Sequence, residues 1–384
     1  MNKILLQATG KTLKSDKKGC YVLSKVHCSP LSRAYNESTR LIATKQFEYN
    51  HSGHNGKAKT WSKIAFSAML GGSLALYLAK NKLTVHNQTN YTESEEEKWK
   101  GVSITLYQYQ TCPFCSKTRS FLQAYNVPFK SVEVHPIFKK EIKFSEYKKV
   151  PIVSIEKEGK SEQLNDSSLI ISVLASYLIN ENISISELLN QYPESELIDE
   201  DGKVKKLILN KHWLIMEENE VTLPNYKDAR SEEAQWRAWA DDYLVHLISP
   251  NVYRTLSEAL QAFDYHVKQG RFNGTWEGTV AKYGGAVAMW VIGKRLKKKY
   301  KISENVRIDL YKACNTWVKA IGHDRKFMGG DKPNLADICV FGVLSVMENL
   351  DSFNDVVTHS KIKKWYFATK KAIEEHKGQN LNAT

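Results

Sequence analysis

The stretch Cys112-Pro113-Phe114-Cys115 is the part of this chain from which both its fold and its chemistry can be inferred. It follows a strand-like run, residues 103–109, and it opens a helix-like run, residues 116–125. A C-x-x-C pair at such a junction is typical of a redox or thiol-transfer site. The free N–H groups and the dipole of a helix N-terminus favour a thiolate, which is the nucleophilic form of cysteine. We therefore predict that Cys112 is the nucleophile, and that Cys115 either resolves a disulfide or packs inward.

The composition limits the classes of protein that this chain can belong to. A length of 384 residues suggests two or three domains, and 42% hydrophobic with 25% charged residues is ordinary for a soluble globular protein. Six scattered cysteines do not make a secreted disulfide framework, which favours a reducing compartment for the folded part. The sequence holds no second C-x-x-C pair to complete a zinc site, so we predict no metal site.

The chain is basic, with a formal net charge of +13. This charge indicates either a solvated basic surface or attraction to a membrane surface. The sequence shows no zinc-finger spacing, RNP motif or helix-turn-helix signal, so we predict no nucleic-acid partner. The basic run 294–299 ends a predicted helix, where cations suit the helix dipole, and its side chains face solvent, a ligand carboxylate or anionic lipid.

The first hundred residues differ in character from the rest. Residues 1–60 are rich in lysine and poor in acids, which is typical of a targeting or disordered segment. The run 64–79 carries no charge and has lysines on both sides, which predicts a membrane anchor over residues 61–80. A buried or interfacial helix is the alternative interpretation. Residues 81–100 contain several glutamates and are interpreted as an acidic linker.

Residues 101–180 alternate between strand and helix patterns. The predicted strands and helices, in chain order, are strand 103–108, helix 115–125, strand 127–134, helix 137–147, strands 152–156 and 162–164, and helix 166–179. The order βαβ followed by ββα is typical of a thioredoxin-like, glutaredoxin-type domain. The predicted fold class is therefore α/β for this domain, followed by an all-α part.

Only helical patterns follow. We interpret residues 181–230 as a linker with an extra helix at 205–219, and residues 231–384 as an all-helical domain. The predicted helices of that domain are 231–248, 252–268, 279–300, 304–321, 335–350 and 361–376.

Two further motifs suggest what lies beside the cysteines. A proline that precedes the third strand of a thioredoxin-like fold is usually cis, which predicts a cis bond between Val150 and Pro151. Asp166 or Ser167 is placed to cap the helix that follows the last strand. The same helix N-terminus can hold a carboxylate of a ligand.

These motifs together resemble the glutathione transferase architecture. The stretch Asn334-Leu-Ala-Asp337 looks like the capping box of the transferase helical domain, and 327–330 looks like the turn before it. The resemblance narrows to the prostaglandin E synthase 2 family, which is membrane-associated and glutathione-transferase-like. It covers residues from about 100 to 375, and the stretches that carry it are 106–117, 146–152, 163–168 and 239–253.

This resemblance implies an isomerase that converts prostaglandin H2 to prostaglandin E2, with a thiolate that attacks the endoperoxide. It implies a catalytic group made of Cys112, Tyr109, Phe114 and Cys115. It also implies glutathione, and in some members haem, bound in a cleft between the domains, by residues that here are Val150, Pro151, Asp166, Ser167, His246 and Ser249. His246 and Ser249 would line the helical side of that cleft; a packed core or surface histidine is the alternative for His246.

Two other functions remain compatible with the sequence. One is a glutaredoxin-like thiol-disulfide oxidoreductase or glutathione transferase in which both cysteines cycle. The other is a non-enzymatic protein that binds haem and glutathione. We further expect a homodimer, anchored by its N-terminal helix in an endomembrane such as the Golgi or in a mitochondrial membrane. The catalytic domain would face the cytosol, and processing would release a soluble cytoplasmic form.

Overall fold

A five-stranded mixed sheet organises the N-terminal half of the described chain. The computed structural model describes residues 85–88, 99, 101–135, 138–157, 159–198, 204–215, 226–269, 276–300 and 302–381. The five strands are β1 (Val85–Gln88), β2 (Val102–Gln108), β3 (Phe129–Glu133), β4 (Ile152–Lys157) and β5 (Lys160–Asn165). Their order across the sheet is β1-β3-β2-β4-β5. Every neighbouring pair is antiparallel except β2 and β3, which are parallel.

Two helices complete the predicted domain. Helix α1 (Pro113–Ala124) makes the crossover between the parallel strands β2 and β3, and helix α2 (Ser167–Ile179) follows β5. A crossover of this kind needs a helix because parallel strands cannot be joined by a tight turn. The order of elements is the predicted βαβ, then ββα, so the thioredoxin-like domain is confirmed.

The sequence pattern was wrong at the edges of this domain. Strand β1 lies inside the predicted linker 81–100 and pairs antiparallel with β3, as Val85 opposite Val132. Four residues are too few to show a period, and the pairing depends on the edge that β3 offers. Of the predicted helix 137–147, the described residues 138–147 contain only a single 3₁₀ turn, Lys140–Ile142, and Lys139 before it adopts a left-handed conformation with φ of 46°, which a continuous helix would not allow.

A β-hairpin replaces the extra helix predicted at 205–219. After the short helix α3 (Ile185–Asn190), strands β6 (Glu194–Ile198) and β7 (Val204–Ile208) form a separate two-stranded sheet. The apolar residues of 204–214 fall at spacings that suit a helix as well as a strand. The Asp201-Gly202 dipeptide between the two strands was the overlooked signal, since Asp-Gly is a preferred hairpin turn.

The rest of the described chain is helical, as predicted. Its helices are α4 (Tyr226–Trp239), α5 (Val245–Val252), α6 (Leu256–Gln269), α7 (Trp276–Lys299), α8 (Val306–Ile321), α9 (Leu335–Ser345), α10 (Asp351–His359) and α11 (Lys363–Glu374). A π-helical turn, Ala240–Leu244, joins α4 to α5. The capping box at the start of α9 is confirmed, since the side chains of Asn334 and Asp337 each bond the other's backbone N–H. Helix α10 was not predicted; it lies in the gap between the expected helices 335–350 and 361–376, and α9 ends at Ser345, before the expected end at 350.

Helix α9 holds the cysteine-bearing helix α1 in place. The two backbones come so close at Gly342 that a Cβ there would lie 2.6 Å from the Cα of Lys117. The hydroxyl oxygens of Ser116 and Ser345 lie 2.8 Å apart at the same crossing. The helical half of the protein therefore fixes the helix on which the cysteines sit.

This close crossing yields a stability prediction. We expect Gly342→Ala to lower the free energy of unfolding by about 1–3 kcal/mol, because the new methyl group must push two backbones apart. Gly284→Ala on α7 is the matched control, since a Cβ there meets nothing within 4 Å. Alanine is the better helix former, so we expect this control to be neutral or stabilising by up to about 1 kcal/mol. Denaturant titration measures the free energy of unfolding of both variants. Equal changes in the two variants would contradict a tight contact between α1 and α9 at Gly342.

Some predicted segments lie outside the described residues. The targeting segment 1–60 and the anchor 61–80 are among them. None of the helices in the described ranges is long and apolar enough to cross a bilayer. Apart from Ile198, the described residues fall within one compact unit, which covers 60–197 and 204–384.

Candidate active site

Cys112 occupies the N-cap position of α1. Its pKa is lowered, first by a hydrogen bond that the Cys115 thiol donates to it. Burial works in the opposite direction. The backbone N–H groups of Cys115 and Phe114 and the charge of Arg119 add to the lowering. Pro113 stands in the first turn, where its missing N–H leaves no bond unmade.

Cys115 lies one turn along the same helix and has the opposite character. Its side chain is fully buried, and this burial raises the pKa of its thiol well above the ordinary value. The neighbouring Cys112 thiolate raises it further. The two thiols thus differ in acidity, with the pKa of Cys112 lowered and that of Cys115 raised, which makes Cys112 the better candidate nucleophile of the pair.

A polar cluster lies under the thiolate. The guanidinium of Arg119 donates to the side-chain oxygen of Gln108 at 2.5 Å and to the carbonyl of Gln110 at 3.2 Å. The carboxylate of Glu133 accepts from the backbone N–H of Gln110 at 2.7 Å. These bonds fix Arg119 on the side of α1 from which its charge favours the Cys112 thiolate.

Two tyrosines border the cysteines. The pKa of Tyr109 is raised to about 12, first by burial and then by the charges of Cys115 and Cys112. The pKa of Tyr147 is also raised to about 12, by burial and then by Asp166 and Cys112. Both phenols therefore keep their protons at neutral pH. With Val150 and Tyr107 they form a partly buried apolar surface against the core residues Val134, Ile142 and Ile152.

The predicted ligand-binding features stand on the neighbouring elements. The Val150–Pro151 peptide bond is cis, as predicted. Asp166 is the N-cap of α2, and one of its carboxylate oxygens accepts from the N–H groups of Ser168 and Leu169. The other oxygen pairs with the ammonium of Lys211 at 2.9 Å. Asp166 adopts a φ of 69°, a conformation that is uncommon for a residue other than glycine.

A buried charge network joins α1, α2 and the π-helical turn. The fully buried ammonium of Lys117 pairs with Asp241 and donates to the Ser168 hydroxyl at 2.9 Å. The other Asp241 oxygen contacts the Ser168 hydroxyl at 2.5 Å and the His212 ring at 3.0 Å. Burial raises the pKa of Asp241, but Lys117 and His212 outweigh it and hold that pKa far below the ordinary value.

Arg237 ties the same network to α2. Its guanidinium donates to the Ser168 carbonyl at 3.1 Å, to the Ser172 hydroxyl at 2.7 Å and to the His212 carbonyl at 2.8 Å. The network thus links the start of the cysteine helix to the helix that begins at Asp166.

The thiolate assignment can be tested by its pH dependence. The rate of alkylation by iodoacetamide rises as the thiol becomes thiolate and levels off above the pKa. Because the pKa of Cys112 is lowered, we expect the midpoint below 9.0, its ordinary value. We expect Cys115→Ala to move the midpoint upward, since the donated hydrogen bond is lost. Mass spectrometry of the peptide that contains Cys112 measures both rates, and a midpoint of 9 or higher in the unaltered chain would contradict the assignment.

The comparisons with known proteins agree with this geometry. The family model described as Glutaredoxin matches residues 104–159. Prostaglandin E synthase 2 of Danio rerio is 50% identical over 308 residues, which cover 80% of this chain and 80% of that protein. The chain belongs to the prostaglandin E synthase 2 family. The family member of Mus musculus is 47% identical over 317 residues, and the match covers 81% of each chain. The predicted family, and with it an enzyme of the prostaglandin E synthase class, is confirmed.

Solved structures similar to this prostaglandin E synthase 2 family member are more distant. FzlA from C. crescentus is 14% identical, covers 71% of this chain and 90% of its own, and has a TM-score of 0.39. The apo form of glutathione S-transferase III is 14% identical, covers 71% of this chain and 95% of its own, and has a TM-score of 0.36.

Most of the predicted site residues of this family member come together. Cys112, Cys115 and Tyr109 form one group, and Val150 with Asp166 borders it through Tyr147. Phe114 contributes its backbone N–H to the thiolate. Pro151 is buried in its cis bond, and Ser167 is buried at the first position of α2.

His246 and Ser249 are in a different situation. The His246 ring stacks on Tyr300 with centroids 3.9 Å apart, and its pKa is lowered by burial and then by Lys299. The carbonyl of Ser249 accepts the N–H of Tyr253 that ends α5. The contacts described for these two residues are with α5 and the end of α7, so their place in the cleft stays a prediction.

Sequence reasoning missed four contributors to the site. Tyr147 lies in the stretch 146–152 that carries the resemblance but was given no role, and Lys211 lies where a helix was wrongly expected. Lys117 and Asp241 are 124 positions apart in the chain. A lysine inside the apolar pattern of α1 was the available signal, because a buried lysine requires a partner.

Proposed function

We propose that this chain isomerises prostaglandin H2 to prostaglandin E2 with Cys112 as the nucleophile. Family membership supports the reaction. The observation that carries the proposal is the thiolate at the start of α1, stabilised by the Cys115 thiol and bordered by an apolar surface with two protonated tyrosines. Such a surface suits the hydrocarbon chains of a lipid, and the thiolate suits attack on a weak O–O bond.

The Cys112 thiolate attacks the endoperoxide oxygen on the carbon that becomes the ketone; an S–O bond forms, the O–O bond breaks, and the second oxygen leaves as an alkoxide. The Tyr109 hydroxyl gives its proton to this alkoxide, which becomes the product hydroxyl. The resulting tyrosinate then takes the C–H proton beside the S–O bond, the C=O bond forms, and the S–O electrons return to sulfur. Thiolate and phenol are regenerated, and no external oxidant or reductant is used.

Glutathione fits the residues beside the thiolate. The side chain of Asp166 is 38% exposed, and that of Lys211 beside it is 25% exposed. A carboxylate and a cation at a helix N-terminus suit the ammonium and carboxylate of a γ-glutamyl group. Val150 would offer its backbone to the cysteinyl part, and Ser167 lies at the same helix start. The tripeptide would supply a second thiol close to Cys112 and shape the cleft.

Haem fits the described residues less well. A haem carries two propionates, which need cations. Near Cys112, Arg119 donates to Gln108 and Gln110, Lys117 is fully buried on Asp241, and Lys211 is paired with Asp166. Arg119 and Lys117 are thus held by protein partners, and Lys211 is assigned to the glutathione carboxylate, so we assign haem no step.

Product analysis tests the proposed function. The full chain is incubated with prostaglandin H2 and glutathione, and the prostaglandins are separated by chromatography with a blank that lacks protein. We expect prostaglandin E2 to form in proportion to enzyme concentration. A product distribution identical to the blank would refute the isomerase.

A thiol-disulfide oxidoreductase is the second candidate. The hydrogen bond between Cys115 and Cys112 favours it, because two cysteine sulfurs in contact can also form a disulfide. This activity would require both cysteines. Reduction of a protein disulfide by the unaltered chain, lost in Cys115→Ser, would support it, because Cys115 must then displace the substrate thiol from Cys112 and leave a Cys112–Cys115 disulfide.

The predicted surroundings of the enzyme remain part of the proposal. We propose that residues 61–80 anchor the chain in an endomembrane or mitochondrial membrane, with the catalytic part on the cytosolic side. An anchor would place the site beside a bilayer in which the substrate dissolves. The homodimer stays a prediction.

A further inference from the structure

Helix α7 presents an apolar stripe to solvent. Along its outward face, Val280 is 40% exposed, Tyr283 56%, Val287 48% and Val291 36%. These residues follow one another at spacings of three and four, so they line one side of the helix. Single exposed apolar residues are ordinary, but a continuous row of four on one helix is not.

The inner face of α7 already has its partners. Ala286 and Gly293 are buried, and a Cβ at Gly293 would lie 3.4 Å from the carbonyl oxygen of Tyr253 beside α5. Lys282 on the flank pairs with Asp264 of α6 at 2.7 Å. Helix α7 therefore has two apolar sides: an inner side that packs near α5 and α6, and the outward stripe.

The same face becomes cationic towards the end of the helix. Lys294, Arg295 and Lys298 continue the stripe at helical spacing, and all three are exposed. The Lys294 ammonium lies 3.7 Å above the ring of Trp290. The sequence from Gly278 to Lys299 contains no acidic residue. We define the outward face of α7 as these seven residues, Val280, Tyr283, Val287, Val291, Lys294, Arg295 and Lys298.

We propose that the outward face of α7 rests on an anionic membrane surface. Apolar side chains on one side of a helix enter the boundary between headgroups and acyl chains, and lysine and arginine bind the lipid phosphates and carboxylates. The valines and the tyrosine of the outward face of α7 supply the apolar part of this contact, and its three cations supply the part that binds lipid anions. A second copy of the chain matches it less well, because two such faces would place six cations at one interface and the seven defining residues include no acid to pair with them.

This contact does not rest on the proposed reaction. It concerns a face of α7, and it would hold for any activity of the cysteines. It would add a second point of attachment to the proposed anchor and restrain how the described body sits on the bilayer.

Lysine footprinting tests the proposal in the full chain. A water-soluble acetylating reagent is applied with vesicles of 70% phosphatidylcholine and 30% phosphatidylserine, with vesicles of phosphatidylcholine alone, and without vesicles. Mass spectrometry then gives the rate at each lysine. We expect Lys294 and Lys298 to react several-fold more slowly only with the anionic vesicles, and this protection to weaken at high salt. Lys363 and Lys364, exposed at the start of α11, are the internal controls and should not change.

Two double variants separate the face from the anchor. Val287→Asp with Val291→Asp should remove the protection of Lys294 and Lys298, because the apolar stripe no longer enters the headgroup region. Ile308→Asp with Phe367→Asp is the matched control, since these residues are 43% and 44% exposed on other helices; it should leave the protection intact. If anionic vesicles slowed the acetylation of Lys294 and Lys298 no more than that of Lys363 and Lys364, each relative to its own rate without vesicles, the proposal would be overturned. Protection that appears without vesicles and rises with protein concentration would also overturn it, since this would indicate a second copy.

Discussion

Cys112→Ser should abolish the conversion of prostaglandin H2 to prostaglandin E2, with a loss of about 10³-fold or more in kcat. A serine hydroxyl at this position has a far higher pKa than the thiol, so the amides of α1 and the Cys115 thiol no longer yield an anion at neutral pH. Product formation under initial-rate conditions, with the protein-free rate subtracted, measures the loss.

Cys115→Ser is the matched variant. A serine hydroxyl can still donate a hydrogen bond to the Cys112 thiolate, so we expect the activity to stay within about tenfold of the unaltered chain. Cys115→Ala lacks this donor, so we expect its isomerase activity to lie between those of Cys115→Ser and Cys112→Ser. If Cys115→Ser lost as much activity as Cys112→Ser, the single-nucleophile mechanism would be wrong and a dithiol cycle would replace it.

Asp241→Asn should destabilise the fold strongly. It removes the charge that compensates the fully buried ammonium of Lys117. Breaking a buried pair by removal of one partner costs about 3–5 kcal/mol, since the remaining charge has no solvent. Because the network also joins α1 to α2, we expect glutathione affinity to fall together with the midpoint of thermal unfolding. Calorimetry and titration with glutathione measure these two effects.

The neighbouring Asp242 supplies the control. Asp242 is exposed, so Asp242→Asn should change the free energy of unfolding by less than about 0.5 kcal/mol. The double variant Lys117→Met with Asp241→Asn removes both charges and should recover much of the loss, as expected when the penalty comes from an unpaired charge. A single Asp241→Asn variant as stable as Asp242→Asn would show that the ion pair is not what holds the two helices together.

The local chemistry of the site could be predicted from the sequence. The C-x-x-C pair, the cis proline, the N-cap of α2 and the capping box of α9 each depend on a few adjacent residues. Local backbone geometry dictates such motifs, so they adopt the same local structure wherever the fold permits it. The errors fell where local preference was weak, as in the 137–147 segment, or where a strand depended on a partner edge, as in β1 and the β6–β7 hairpin.

What the sequence by itself determined is the thiol chemistry of Cys112, the thioredoxin-like order of strands and helices, and the family. Only the tertiary structure supplied the physical cause of the difference in acidity between Cys112 and Cys115, because that difference comes from burial and from a hydrogen bond between them. Only the tertiary structure joined Lys117 to Asp241, and only it showed which side of α7 packs on the other described helices and which side is exposed. Burial and charge pairing between residues far apart in the chain exist only after folding, and they set the pKa values and the surfaces on which the function depends.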